Sequence, residues 1–142
     1  MSENEAAMPS ASLDEELAGF RFALRKFLAF SEATTGAAGV TPQQYQALLV
    51  IKTDPERATT IRALAGQMLM QHHGAVQLVD RLAGAGLVER SHSPTDRRSV
   101  LVALTDKGAE LLERLATNHA KELLEQEPLL AESLKRLREL AA

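Results

Sequence analysis

S-P-T-D-R-R-S-V-L-V-A-L-T-D-K-G, Ser93 to Gly108, is the stretch whose reading decides the fold. It holds three events in a row. A polar, proline-bearing turn carries Arg97 and Arg98. A strand follows, in which Val100, Val102 and Leu104 alternate with Leu101 and Ala103, the period-two signature of a pleated strand. Thr105 then caps a new helix, because a hydroxyl at that position accepts a hydrogen bond from an otherwise orphaned amide. An arginine-tipped hairpin beside a helix has the shape to grip a DNA backbone and probe the minor groove.

Upstream, Ile61 to Leu69 and His73 to Ala85 read as two short helices joined by a tight connection, as in a helix-turn-helix. Gly86 ends the second helix as a left-handed cap, and Leu87 to Ser91 is the first wing strand. The order helix, turn, helix, strand, wing, strand predicts a winged helix. Before it, Thr41-Pro42-Gln43-Gln44 is a capping box with proline at the first helical position. It starts a helix bearing Tyr45, Leu48, Leu49 and Lys52 that ends near Asp54-Pro55. Thr59-Thr60 opens the helix-turn-helix unit.

The flanks are helical. Leu17, Phe20, Leu24, Phe27, Leu28 and Ser31 recur at spacings of three and four over Leu13 to about Thr35. Gly36 to Gly39 breaks this helix. From Thr105, Gly108, Leu112, Leu115, His119 and Leu123 make one stripe. Pro128 is expected to break or end that helix, since proline removes a backbone donor. Leu129, Leu130, Leu134, Leu137 and Leu140 form a last stripe. One chain offers little for these faces to pack on, which implies a partner. The small, polar residues 1–12 are expected to be a disordered tail.

Bulk properties narrow the function classes. The chain has 142 residues, enough for one domain with a real core, and 45% hydrophobic with 25% charged residues is ordinary for a soluble protein. There is no cysteine, which excludes disulfides, thiol redox sensing and cysteine nucleophiles. No apolar run approaches a membrane span and the acidic start M-S-E-N-E is no secretory signal, so a cytoplasmic location is expected. The net charge of −3 argues mildly against a nucleic-acid partner, but its distribution argues the other way. Residues 57–107 hold seven basic against four acidic side chains, whereas residues 1–56 hold four against eight and residues 108–142 five against seven. The positive segment is the one read as a winged helix.

Two motifs carry a family resemblance. D-R-R-S-V-L-V-A-L-T-D-K-G, Asp96 to Gly108, is similar to the wing signature of the MarR family of bacterial transcription regulators: Asp, any residue, Arg, an apolar strand ending in Leu-Thr, and Gly three residues on. L-V-D-R-L-A-G-A-G-L-V-E-R, Leu78 to Arg90, resembles that family's recognition helix running into the second strand. The resemblance extends over roughly Leu13 to Leu140. The expected fold class is mainly α with a small antiparallel β-wing, a winged helix-turn-helix whose N- and C-terminal helices form a dimerisation region. A single domain over residues 13–142 is expected, with the winged helix at about 41–104 and the dimerisation helices at about 13–35 and 105–140. The resemblance implies a homodimer that binds double-stranded DNA at a pseudo-palindromic operator, more often as repressor than activator, and that answers to a small aromatic or phenolic effector.

The candidate residues follow. His72, His73, Gly74 and Gln77 start the recognition helix, whose apolar face is Ala75, Leu78, Val79 and Leu82. Gln77 and Arg81 project from the other face one turn apart. Glutamine can pair bidentately with adenine and arginine with guanine. The family commonly has Ser or Thr where His73 and Gly74 stand. Arg97 and Arg98 lie in the wing, and Arg98 matches the family's wing arginine; Asp96 and Asp80 are candidate carboxylates to orient them. Arg62, at the start of the preceding helix, is a further phosphate contact. Phe27, Phe30, Tyr45 and Leu48, with Arg25 and Ser31 as polar anchors, are the candidate effector pocket. Leu13, Leu17, Leu123, Leu130, Leu134 and Leu137 are the candidate dimer interface.

Other chemistries find little support. Adjacent histidines on a helix point about 100° apart and chelate poorly. Only His92 is another candidate ligand nearby, so no metal and no cofactor is expected. There is no G-x-S-x-G, glycine-rich phosphate loop or H-E-x-x-H, so no enzyme is expected. The alternatives are a winged helix that acts only in protein pairing, without specific DNA binding, and behind it a small-molecule enzyme; the wing-tip arginines favour DNA.

Overall fold

The computed structural model describes residues 2–142, with side chains described from residue 13 on; where a disordered tail is expected over residues 1–12, the chain is helical from Ser2. The elements are α1 (Ser2–Ala37), α2 (Pro42–Thr53), β1 (Ala58–Thr60), α3 (Ile61–Gln67), α4 (His72–Gly84), β2 (Val88–His92), β3 (Val100–Leu104) and α5 (Asp106–Ala141). The fold is mainly helical with one antiparallel sheet in the order β1-β3-β2. The chain divides into two compact units, one of Thr34–Thr117 and one of Met1–Ala33 with Asn118–Ala142.

In the first unit the wing is the hairpin β2–β3, with Arg90 opposite Val102 and His92 opposite Val100. The third strand, β1, pairs Thr59 with Val102. Sequence reading takes Thr59-Thr60 only as the opening of the helix-turn-helix, because three residues are too short to display an alternation. Leu48, Ile51, Leu64, Val79, Leu82 and Val102 are fully buried. They join Leu111, Leu112 and Leu115 from the start of α5 in one core. The buried face of α4 is Ala75, Leu78, Val79 and Leu82, the face its periodicity marks.

Local chemistry sets the element ends. At α2 the Thr41 hydroxyl accepts from the Gln44 amide at 3.0 Å and the Gln44 side chain accepts from the Thr41 amide at 2.9 Å. At the end of α4, Gly86 has φ +75°. There the Leu87 amide donates to the Leu82 carbonyl at 2.9 Å and the Gly86 amide to the Ala83 carbonyl at 3.0 Å, which satisfies two orphan acceptors. Helix α3 ends in the same way, but its left-handed residue is Leu69, at φ +54° and 94% exposed.

Where α5 begins, the backbone approaches β2 closely. The Thr105 amide donates to the Leu87 carbonyl at 3.0 Å and the Thr105 hydroxyl to the Gly86 carbonyl at 2.6 Å. The same hydroxyl accepts from the Gly108 amide at 3.1 Å. A Cβ on Gly108 would stand 2.0 Å from the Leu87 oxygen. The spacing of Leu-Thr from glycine in the wing signature therefore has a steric cause: only glycine lets the first turn of α5 seat against the end of the recognition helix.

The second unit corrects one expectation. Helix α5 neither breaks nor ends at Pro128 but continues to Ala141. Proline there removes one bond to the carbonyl four residues back, at a cost of roughly 3 kcal/mol. On either side of that turn α5 is bonded to α1: ahead of it His119 Nε2 is hydrogen-bonded to the Ser31 hydroxyl at 2.8 Å, and beyond it the Ser133 hydroxyl donates to Glu16 at 3.4 Å and Arg136 donates to Glu16 at 3.2 Å. Pro128 itself faces solvent, so its ring displaces no neighbouring element. Of the candidate dimer residues, Leu13, Leu130 and Leu137 are half-buried, and Leu17, Leu123 and Leu134 are exposed.

Candidate nucleic-acid interface

Burial of one face of α4 leaves the opposite face, with His73, Gln77 and Arg81, in solvent. Gln77 Nε2 donates to His73 Nε2 at 3.3 Å, an i, i+4 contact that pre-orders both side chains on the exposed surface. The N-cap of α4 is Gln71, whose side chain makes no capping hydrogen bond. The first-turn amides therefore present the positive end of the helix dipole without a side-chain acceptor. Gly74 is half-buried at the start of this helix, and a Cβ there would meet Met70 Cε at 3.0 Å. Glycine thus leaves room for the methionine that closes the preceding turn.

The two carboxylates act through strands and backbone. The Asp80 carboxylate pairs with the Arg90 guanidinium, which ties α4 to β2 and does not reach Arg97 or Arg98. Asp96 Oδ1 accepts from the Arg98 amide at 3.0 Å and Oδ2 from the Ser99 hydroxyl at 3.1 Å. The Ser93 amide donates to the Ser99 carbonyl at 3.1 Å and closes the wing tip. Asp96 thus folds the turn that carries Arg97 and Arg98, both exposed, while its carboxylate is engaged by neutral donors.

Three of the candidate cations meet. A cleft of about 460 Å³ is lined by Thr60, Ile61, Arg62, His72, Asp96, Arg98, Ser99 and Val100. It brings together the first turn of α3, the first residue of α4 and the wing. Arg62, weak in the sequence reading, shares this cleft with Arg98 and His72. Gln77, Arg81 and Arg97 lie outside its lining. Two guanidiniums and an imidazole around a cleft whose one carboxylate is already hydrogen-bonded make a place for an anionic oxygen group.

The candidate effector residues divide between the two units. In the helical unit Phe27 and Phe30 set their rings edge-on around His119, with centroids at 5.9 and 5.7 Å. His119 is buried, and its Nε2 is hydrogen-bonded to the Ser31 hydroxyl at 2.8 Å. Sequence reading registers His119 only as one member of a leucine stripe; an imidazole at a core position of such a stripe was the available signal. Arg25 is exposed. In the other unit Leu48 is fully buried in the core and Tyr45 packs against that core half-buried. Burial pushes the Tyr45 phenol above its ordinary pKa. Among the described residues no helix is long and apolar enough to cross a membrane, and no three His, Asp or Glu side chains are grouped to hold a metal ion.

Comparison with known proteins is consistent with this geometry. Residues 38–99 match the sequence model of the MarR family. A protein of Thauera aromatica named for transcriptional regulation of the hcr operon is 36% identical over 89 residues, covering 63% of this chain and 52% of that protein. The HTH-type transcriptional regulator YhbI of Bacillus subtilis is 34% identical over 82 residues, covering 58% of this chain and 52% of the relative. The chain thus spans about half the length of the curated relatives it matches. A cysteine-to-serine mutant of MarR from E. coli, solved in complex with operator DNA, superposes with a TM-score of 0.68 at 25% identity, over 85% of this chain and 86% of that one.

Proposed function

We propose that this chain, which belongs to the MarR family, is a homodimeric regulator of transcription that binds double-stranded DNA with sequence specificity and represses the genes beside its site. The observation that carries the reading is the cleft shared by Arg62, His72 and Arg98, next to the exposed face of α4 that bears Gln77 and Arg81. In the helix-turn-helix mode, the first turns of α4 enter the major groove and meet base edges. Gln77 and Arg81 are the base readers there. Arg62, His72 and Arg98 seat a backbone phosphate in the cleft, and Arg97 extends the wing toward the minor groove. The relatives are named as transcriptional regulators, which supports a binding role over a catalytic one.

A twofold dimer reads a pseudo-palindrome whose half-sites lie about one helical turn apart, ~10 base pairs. The experiment is selection of bound duplexes from a random library, followed by titration of the selected site. Enrichment of such a palindrome, with affinity that falls steeply as salt rises, supports the reading. Enrichment of no sequence removes it and leaves a winged helix for protein pairing.

The effector assigned is a small aromatic acid, in keeping with the aromatic rings and hydrogen-bonding groups around His119. It releases DNA only if it binds the DNA-incompetent dimer more tightly than the competent one. A hundredfold loss of DNA affinity needs about 2.7 kcal/mol of coupling. Titration with salicylate-like compounds, following ligand binding and DNA release together, tests this; binding without release rules the site out as the switch.

A further inference from the structure

The exposed face of α4 carries a contact that depends on a proton. Gln77 Nε2 donates to His73 Nε2 at 3.3 Å, and both residues are exposed. An imidazole nitrogen accepts only when it carries no proton, so this contact is made by the neutral ring with its hydrogen on Nδ1. It also decides which edge of the Gln77 amide stays free. One amide hydrogen lies beside the carbonyl oxygen and the other beside the side-chain stem. Adenine is read by Oε1 together with the hydrogen next to it, which meet the N6 amino group and N7. The stem-side hydrogen can go to a residue one turn earlier on the helix. Given to His73, it leaves the adenine-reading edge whole.

Protonation of the ring reverses the amide. An imidazolium donates from both nitrogens and accepts at neither. Gln77 Nε2 then has no acceptor there, and the amide turns over to place Oε1 on the ring. Its outward end becomes the amino group, two donors and no acceptor. That end fits the N7 and O6 acceptors of guanine and offers nothing to the amino group of adenine. The ring is free to titrate for this purpose. On α4 the charged or titratable groups around it are His72 beside it and Asp80 and Arg81 two turns on, and Asp80 is paired with Arg90 of β2. From the other elements, Arg62 of α3 and Asp96 and Arg98 of the wing line the cleft that His72 joins and His73 does not. His73 forms no salt bridge among the described residues.

We infer that His73 is a positioning residue for base readout: neutral, it holds the Gln77 amide to adenine, and protonated it turns the amide toward guanine. The inference rests on the DNA-binding reading above, in which Gln77 meets a base edge. It makes the choice of site, and not only the strength of binding, depend on acidity over about pH 5 to 8, where an imidazole changes charge.

The test uses the full-length protein and a duplex selected from a random library at about pH 8. The base pair at which Gln77→Ala relaxes preference is set to A·T or to G·C in both half-sites. The ratio of the two affinities is then measured at about pH 8 and about pH 5.5. A ratio cancels whatever affinity other protonations add on both duplexes alike. Wild type is expected to prefer A·T by about tenfold at the higher pH, and the preference should shrink at least about threefold at the lower. His73→Gln keeps a neutral acceptor at the same reach and should give one ratio at both pH values. His73→Lys has donors only and should give the low ratio at both. A wild-type ratio that does not move with pH, or that moves as much in His73→Gln, overturns the inference while specific binding stands. Selection of no sequence, or of one at which Gln77→Ala relaxes no A·T preference, overturns the base-reading assignment and the inference with it.

Discussion

The winged-helix unit and the helical unit solve the burial problem differently. In the first, Leu48, Ile51, Leu64, Leu82 and Val102 have no exposed surface, and polar ends are closed by caps within the same unit. In the second, α1 and α5 meet through Ser31 with His119 and through Glu16 with Ser133 and Arg136, while Leu28, Leu124 and Leu129 stand in water. The first unit closes its core with its own side chains, whereas the second leaves apolar side chains of both its helices in water.

The sharpest way to break this contrast is to truncate one leucine in each unit. Leu82→Ala opens a void in a sealed core and should cost about 3–4 kcal/mol of stability, read by chemical denaturation. Leu129→Ala should change the unfolding free energy of dilute monomer by less than about 0.5 kcal/mol and instead weaken self-association. Equal losses would mean the helical unit has a core of its own. Next in size is Gly108→Ala, which forces Cβ against the Leu87 carbonyl. Moving α5 off β2 should cost about 2–3 kcal/mol, and a neutral result would show that this approach is not needed.

Within the DNA-facing unit, two arginine and glutamine variants should separate. Arg98→Ala should weaken binding to all duplexes, because backbone contacts position the protein without reading sequence. Gln77→Ala should relax preference at particular base pairs by roughly 1–3 kcal/mol if its contact is bidentate. Equal losses on every sequence for both variants would contradict that division. The smallest effect expected is a gain. Leu69 occupies the left-handed region at φ +54° with its side chain in solvent, so Leu69→Gly should stabilise by up to about 1 kcal/mol. A loss on denaturation would show that this leucine has a contact worth more than its backbone strain.

Much of the winged-helix unit was legible because its signals are local. A capping box, a left-handed glycine, a period-two strand and a period-3.6 helix each specify a short piece, and their order specifies the fold. What escaped was set by distant partners. β1 exists because β3 is there to pair with it, and three residues carry no pattern of their own. Helix α5 survives Pro128 because His119 ahead of it is bonded to Ser31 and Ser133 and Arg136 beyond it are bonded to Glu16, whereas propensity alone predicts a break. Asp80 was read as a partner for the wing arginines, but Arg90 on β2 is nearer to it in the folded chain. His119 looked like an ordinary member of a helical stripe; only the fold shows it ringed by Phe27 and Phe30.

The central claim is that a twofold dimer presents two α4 helices to successive grooves, with Arg62, His72 and Arg98 on the backbone. It is tested most directly by anisotropy titration of a library-selected duplex and a scrambled duplex over a range of salt, with stoichiometry read at saturation. The account predicts two chains per duplex, a selected site bound at least about 10³-fold more tightly than the scrambled one, and a linear fall of log affinity with log salt for both. One chain per duplex, or equal affinity for the two duplexes, would contradict it.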